Sequence, residues 1–143
     1  MPNKGKRIRA AVDRFYRLHG TPGGAPEYVK SIASGGKRKY IGTDFVVSWT
    51  VDRASKVIWC YGAYPRSGKV ENLDDDICIR EFREYLEREV VPYLDDGYVF
   101  KSGANREGLE FLRRWCDENG YILDEGSRHS TGVEEITLIS IYA

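Results

Sequence analysis

Residues 44–61, DFVVSWTVDRASKVIWCY, decide the fold class of this chain. From Phe45 to Val51, apolar side chains occupy every second position, which is the period of a β-strand. A second apolar run covers residues 57–61, and the polar residues 52–56 between the two runs predict a turn. The stretch is therefore predicted to be a β-hairpin. Trp49 is in phase with the apolar positions of the first strand, so we expect it in the core.

The rest of the chain alternates between helical and strand periods. Helices are predicted at residues 8–19, 26–33, 74–92 and 105–119, and further strands at 98–100, 121–123 and 136–142. The last strand is apolar on both faces, which predicts an internal position in the sheet. The order α-α-β-β-α-β-α-β-β predicts one α+β domain over residues 1–143. Two N-terminal helices would precede a mixed or mostly antiparallel sheet with two helices packed on it.

The charge of the chain is divided between its two parts. Residues 1–39 contain ten Lys or Arg and two acids, a net charge of +8, whereas residues 40–143 contain twelve and twenty, a net charge of −8. The sequence thus predicts a basic helical N-terminal segment and an acidic α+β body. A basic end on a neutral chain indicates an anionic partner approached by one face.

Other compositional signals narrow the class of protein. No apolar run approaches the roughly 20 residues that cross a bilayer, and no signal peptide is evident, so we expect a cytoplasmic protein with no membrane partner. The three cysteines lie within apolar patterns, which predicts buried reduced thiols. No Cys-x-x-Cys pair is present, and we expect neither a metal nor a cofactor. The acidic run at 74–76 is compatible with Mg²⁺ but is better explained as a helix cap.

The residues predicted to contact phosphate lie on the cationic face of the first helix, in a Gly-rich loop at 34–39, and in a loop at 101–106 that opens a helix. They are Arg7, Arg14, Arg17, Lys37, Arg38, Lys39, Lys101 and Arg106. Residues 66–69, RSGK, form a similar loop without the spacing of a P-loop. The alternative for each loop is an ordinary turn with solvated charges. Tyr40 and Tyr64 adjoin basic loops and are predicted to stack on the rings of a ligand.

Both histidines precede a threonine by two positions, in His19-Gly20-Thr21 and His129-Ser130-Thr131. This pair of motifs is similar to the signature of the 2H phosphoesterases. The resemblance implies that His19 and His129 act as general acid and base while Thr21 and Thr131 hold the phosphate of a cyclic nucleotide or RNA, without a metal. The alternative is a helix-cap histidine and a loop histidine, with residues 130–132 in a turn.

Residues 15–21, FYRLHGT, together with the helix that follows, also resemble the opening of an ADP-ribosyltransferase fold. That resemblance implies that His19 holds the nicotinamide ribose of NAD and that Glu134 or Glu135 completes the site.

The leading hypothesis is a small binding protein that engages the phosphates of a nucleic acid or nucleotide through its basic N-terminal helix and loop. A phage-type inhibitor that sequesters a nucleotide signal fits this description. The enzymatic alternatives are the phosphodiesterase and the transferase. A further alternative is a homo-oligomer in which the basic segment of one copy docks on the acidic body of another, an assembly that salt would dissociate.

Overall fold

The computed structural model describes residues 38–130 and 132–143. These residues form six strands and two helical segments. In chain order the elements are β1 (Arg38–Ile41), β2 (Phe45–Asp52), β3 (Val57–Pro65), α1 (Ile77–Tyr85), a π-helical turn (Leu86–Val90), α2 (Val91–Leu94), β4 (Val99–Ala104), α3 (Arg106–Asn119), β5 (Ile122–Ser130) and β6 (Glu135–Tyr142). The predicted N-terminal helices lie outside the described residues.

The strands form one mixed sheet in the order β1-β2-β3-β4-β6-β5. Every neighbouring pair is antiparallel except β3 and β4, which run parallel. Parallel strands need a crossover connection, and the segment from α1 to α2 supplies it here. The predicted α+β fold with a mixed sheet is therefore confirmed, and β6 lies inside the sheet as expected.

The main core lies between the helices and one face of the sheet, which we call the first face. Phe45 of β2 stacks on Phe82 of α1 with ring centroids 4.8 Å apart, and Trp49 meets Tyr85 edge-on at 4.9 Å. Trp49 is buried, as predicted. The opposite, second face carries a smaller buried cluster, which consists of Val57, Trp59, Tyr61 and Ile136.

The first helical segment continues past the end predicted for it near Pro92. A π-helical turn at Leu86–Val90 precedes α2, and Pro92 stands in the first turn of α2. Proline lacks an N–H and is tolerated in a first helical turn, where that N–H has no helical partner. The change of hydrogen-bond register before Pro92 thus lets the chain remain helical as far as Leu94.

Three strands differ from the sequence prediction. β1 was not expected, because residues 34–39 were predicted to be a loop, yet Lys39 pairs with Ser48 on the edge of β2. β4 extends to Ala104 and β5 to Ser130, beyond the short strands predicted there. Glycines inside these strands suggest turns locally, but pairing of both strands with β6 keeps them extended.

Two predicted helix caps are confirmed. Asp76 is the N-cap of α1, and its side chain accepts from the Cys78 N–H, while Gly120 ends α3 in the left-handed conformation. All three cysteines are buried thiols, as expected. In the part of the chain that the structure describes, none of the helices has the length and apolarity to cross a membrane.

Candidate functional site

A cleft opens in the sheet where β3 and β4 separate. Their parallel pairing covers only three residue pairs and ends at Trp59 and Lys101. Beyond that point β3 stays paired to β2 and β4 to β6, so the two strands border a gap at their carboxyl ends. Ligands of open α/β sheets bind at this kind of position.

The cleft holds two adjoining cavities of about 40 and 50 Å³. Ala63, Tyr64, Phe82, Asn105 and Gly108 line both cavities. The first cavity also reaches Cys60, Gly62, Ser102, Gly103 and Leu112, and the second also reaches Gly68, Lys69, Cys78 and Glu107. The lining is thus mostly apolar with a few polar groups, which is the usual character of a small-molecule site.

Parts of both predicted phosphate loops reach this cleft. Lys69 of the 66–69 loop lies at the second cavity, and Asn105 at the start of α3 lies between the two cavities. Asn105 caps α3, because its side chain accepts from the Gly108 N–H at 2.8 Å, and its amide donates to Glu134 at 3.3 Å. The first turn of α3 is therefore already capped by a side chain of the protein itself.

The 66–69 loop is held by its own contacts. Asp44 accepts from the Ser67 N–H at 2.8 Å, Arg66 donates to the Gly42 carbonyl at 3.3 Å, and Lys69 pairs with Glu71 at 3.4 Å. The Lys69 pair is exposed, so its ammonium can exchange that carboxylate for a ligand at little cost.

Lys101 does not form the predicted loop at the start of α3. It lies within β4, and its Nζ donates to Ser140 Oγ on β6 at 3.1 Å. Partial burial lowers the pKa of this lysine, and the nearby Asp124 opposes that effect. Arg106, the other cation predicted here, is exposed and borders a groove between α3, β5 and β6. The two cations therefore lie at different places on the surface and do not form one phosphate site.

Arg38 and Lys39 lie on β1, not in the predicted flexible loop. Both are exposed, and within residues 38–130 and 132–143 neither forms an ion pair. Arg38 is 3.5 Å from the Tyr93 hydroxyl, to which it donates. The remaining predicted N-terminal contacts, at Arg7, Arg14, Arg17 and Lys37, lie outside the described residues.

The two tyrosines predicted to stack on a ligand differ in their surroundings. Tyr40 donates to Glu81 at 3.3 Å and lies under Arg88, whose guanidinium is 5.8 Å from the ring centroid. Partial burial, followed by the charge of Glu81, raises the pKa of Tyr40. Tyr40 thus already has contacts within the protein, whereas Tyr64 lines the cleft.

His129 lies on strand β5, so the prediction that it belongs to a loop is wrong. Its Nε2 is 2.8 Å from the Ser127 hydroxyl, and residue 129 pairs with Ile136 of β6. His19, Thr21 and Thr131 lie outside the described residues. The pairing of two histidines, and the transferase alternative with Glu134 or Glu135, therefore stay predictions.

Three side chains bring metal-ligand atoms within 4.8 Å of one another: Asp44, Asp76 and Cys78. Asp44 accepts from the Ser67 hydroxyl at 3.1 Å, and Asp76 accepts from the Cys78 and Glu71 N–H groups at 2.8 and 3.2 Å. Burial, with the adjacent carboxylates, raises the pKa of the Cys78 thiol to about 12. Asp44 and Asp76 therefore already have structural contacts, the first in a turn and the second as a helix cap.

The other acids of the 74–76 run form ion pairs on the surface. Asp74 accepts from Arg114 at 2.8 Å, and Asp75 lies 3.9 Å from Arg80. Together with the capping role of Asp76, these contacts favour a structural role for the run.

Comparison with known proteins gives no match to a family model, to a curated protein or to a solved structure. The case for a function therefore depends on the chain's own chemistry. Sequence reasoning missed the cleft, because its boundary is set by where two distant strands stop pairing. The local signal was the set of glycines at positions 62, 103 and 108, which the cleft brings together.

Proposed function

We propose that this protein binds the phosphates of a nucleotide or nucleic acid through its basic N-terminal segment. The observation that carries the proposal is the position of the last residues of that segment. Arg38 and Lys39 lie on an exposed edge strand, and no carboxylate of the described part of the chain pairs with them. Their charge is available to an anion at little desolvation cost.

The distribution of acids supports the same proposal. β5, at the far edge of the sheet, carries two acids and one cation, Asp124, Glu125 and Arg128, while β1 carries two cations and no acid. The two described cations of the basic segment thus lie at the opposite edge of the sheet from the acids of β5. Such a distribution orients a polyanion toward β1 and away from β5.

A phage-type inhibitor that sequesters a nucleotide signal is part of this proposal. That role requires only a site that holds a phosphate-bearing ligand, and it needs no catalytic group.

The test compares wild-type protein with charge-neutralised variants. Arg38→Gln combined with Lys39→Gln is expected to weaken binding of RNA, DNA or nucleotides, and adding Arg7, Arg14, Arg17 and Lys37→Gln should remove it. Fluorescence polarisation and calorimetry provide the affinities.

The matched control neutralises two exposed arginines that lie outside β1. Arg53 lies in the β2–β3 turn and Arg128 on β5, and both are exposed. Arg53→Gln with Arg128→Gln changes the net charge by the same amount and should leave affinity nearly unchanged. Equal losses in the two double variants would show that net charge, not β1, governs binding. Unchanged binding in the six-residue variant would refute the proposal.

A further inference from the structure

The cleft between β3 and β4 has two walls, and a flat ligand can insert between them. Gly62 and Ala63 border it on the β3 side, and Gly103 and Ala104 on the β4 side. These two backbone segments are not paired to each other, because the parallel ladder ends before them. Glycine and alanine leave the backbone accessible, so a planar ring can approach its N–H and C=O groups closely.

The floor of the cleft is apolar and fixed by the core. Phe82 of α1 and Leu112 of α3 are both buried, and both line the first cavity. One water needs roughly 10–15 Å³ of such space, so the two cavities, of about 40 and 50 Å³, each have room for several waters. Displacing such waters from an apolar floor by an aromatic ring is favourable.

The mouth of the cleft adds groups of both charges. Lys69 and Glu107 both line the second cavity, and Tyr64 lines both cavities. The Lys69 ammonium suits a phosphate, and the Glu107 carboxylate suits a ring N–H or exocyclic amino group. The Tyr64 ring can stack on a base.

We propose that this cleft is the binding site for the base of a nucleotide, with Lys69 directed at its phosphates. This inference depends on the proposed function and deepens it, because it identifies a mononucleotide or dinucleotide as the ligand. A free base enters a gap between strands, whereas a base inside a duplex is stacked and cannot.

The first test uses the wild-type protein and ligands with and without a base. Calorimetry compares the four ribonucleoside triphosphates with inorganic tripolyphosphate at equal ionic strength. The best nucleotide is expected to bind about tenfold or more tightly than tripolyphosphate, which is the size of effect that one stacked base provides. Equal affinities would overturn the inference and leave the proposed function intact.

The second test fills the cleft. Ala63→Trp places a large ring between the strands and should raise the Kd of the nucleotide about tenfold or more, while the Kd of tripolyphosphate stays unchanged. Ala54→Trp adds the same bulk at an exposed turn and is the control. If Ala63→Trp does not fold, Tyr64→Ser removes the ring at the cleft and should weaken only the nucleotide.

The failures of the two proposals are distinguishable. Nucleotide binding that survives both cleft variants overturns the cleft site. Nucleotide binding that is lost in the cleft variants but is unchanged in the six-residue charge variant supports the cleft and refutes the basic segment.

Discussion

Replacing Glu81 by alanine is expected to destabilise the protein, because one carboxylate holds the turn between β1 and β2 against helix α1. Glu81 accepts from the backbone N–H groups of Thr43 and Asp44 at 2.8 Å each and of Phe45 at 3.3 Å. It also accepts from the Tyr40 hydroxyl. The edge strand that carries Arg38 and Lys39 is thus fixed to the core partly through this side chain.

The cost follows from the number of donors left without an acceptor. The N–H of Thr43 is exposed and can form a hydrogen bond with water instead. The N–H groups of Asp44 and Phe45 are partly buried. Two partly buried donors at about 1–1.5 kcal/mol each give a loss of about 2–3 kcal/mol. For a chain of this size that loss lowers Tm by roughly 6–10 °C. Glu81→Gln keeps one acceptor and should lose about half as much.

The assay is thermal unfolding monitored by circular dichroism. Two further variants serve as an independent perturbation of the same contact and as a control. A Cβ added at Gly42 would overlap the Glu81 carboxylate, so Gly42→Ala should displace that group and reproduce much of the loss. Glu84 is exposed on the same helix, and Glu84→Ala is the control. Glu81→Ala that unfolds at the same temperature as Glu84→Ala would refute the reasoning.

The same contact predicts a dependence on pH. Partial burial alone would raise the pKa of Glu81, but the backbone N–H groups and the Tyr40 hydroxyl together lower it below its ordinary value. A lowered folded-state pKa gives stability that is present above the unfolded value, near 4.3, and is lost as pH falls through the folded value. The Tm difference between wild type and Glu81→Gln should therefore narrow below about pH 4. A gap that stays constant to about pH 2.5 would contradict this assignment.

Other features of the structure make further predictions. Asn105→Ala removes the N-cap of α3 and should cost about 1 kcal/mol in urea unfolding, whereas Asn105→Ser should recover part of it. Burial raises the pKa of the Cys78 thiol to about 12 and of the Cys116 thiol to about 11, so neither should react with a disulfide reagent near pH 8 until the protein unfolds. If the chain cleaves 2′,3′-cyclic nucleotides without added metal, His19→Ala and His129→Ala should each reduce kcat by about 10²-fold or more, and Thr21→Val and Thr131→Val by less. Turnover that persists in the double histidine variant would exclude these residues as the acid and base.

Local signals in the sequence were sufficient for much of the fold. The alternating stretch at 44–61 formed the predicted hairpin, and Asp76 and Gly120 ended their helices as expected, because strand period and helix caps depend on neighbouring residues. β1 could not be predicted in this way. Its basic sequence is typical of a loop, and it is a strand because β2 offers an unpaired edge.

Long-range pairing also explains the errors at the candidate site. Lys101 was assigned to a loop because Ser102 and Gly103 follow it, but pairing of Gly103 with Leu138 keeps the segment extended. Alternation along β4 then places Lys101 opposite Ser140 on the second face. The cleft likewise depends on where two ladders end, which no local pattern records.

The most direct test of the central claim is the salt dependence of phosphate binding by the wild-type protein. Calorimetric titration with the best-binding nucleotide or RNA should give a Kd that rises steadily as salt increases from about 0.05 to 0.5 M. For single-stranded RNA, the plot of log K against log salt has a negative slope, and its magnitude should decrease by about 0.7 for each phosphate-contacting cation removed. The Arg38→Gln, Lys39→Gln variant should therefore give a slope that is smaller in magnitude by about 1.4. An affinity independent of salt, or a slope identical in that variant, would contradict the account.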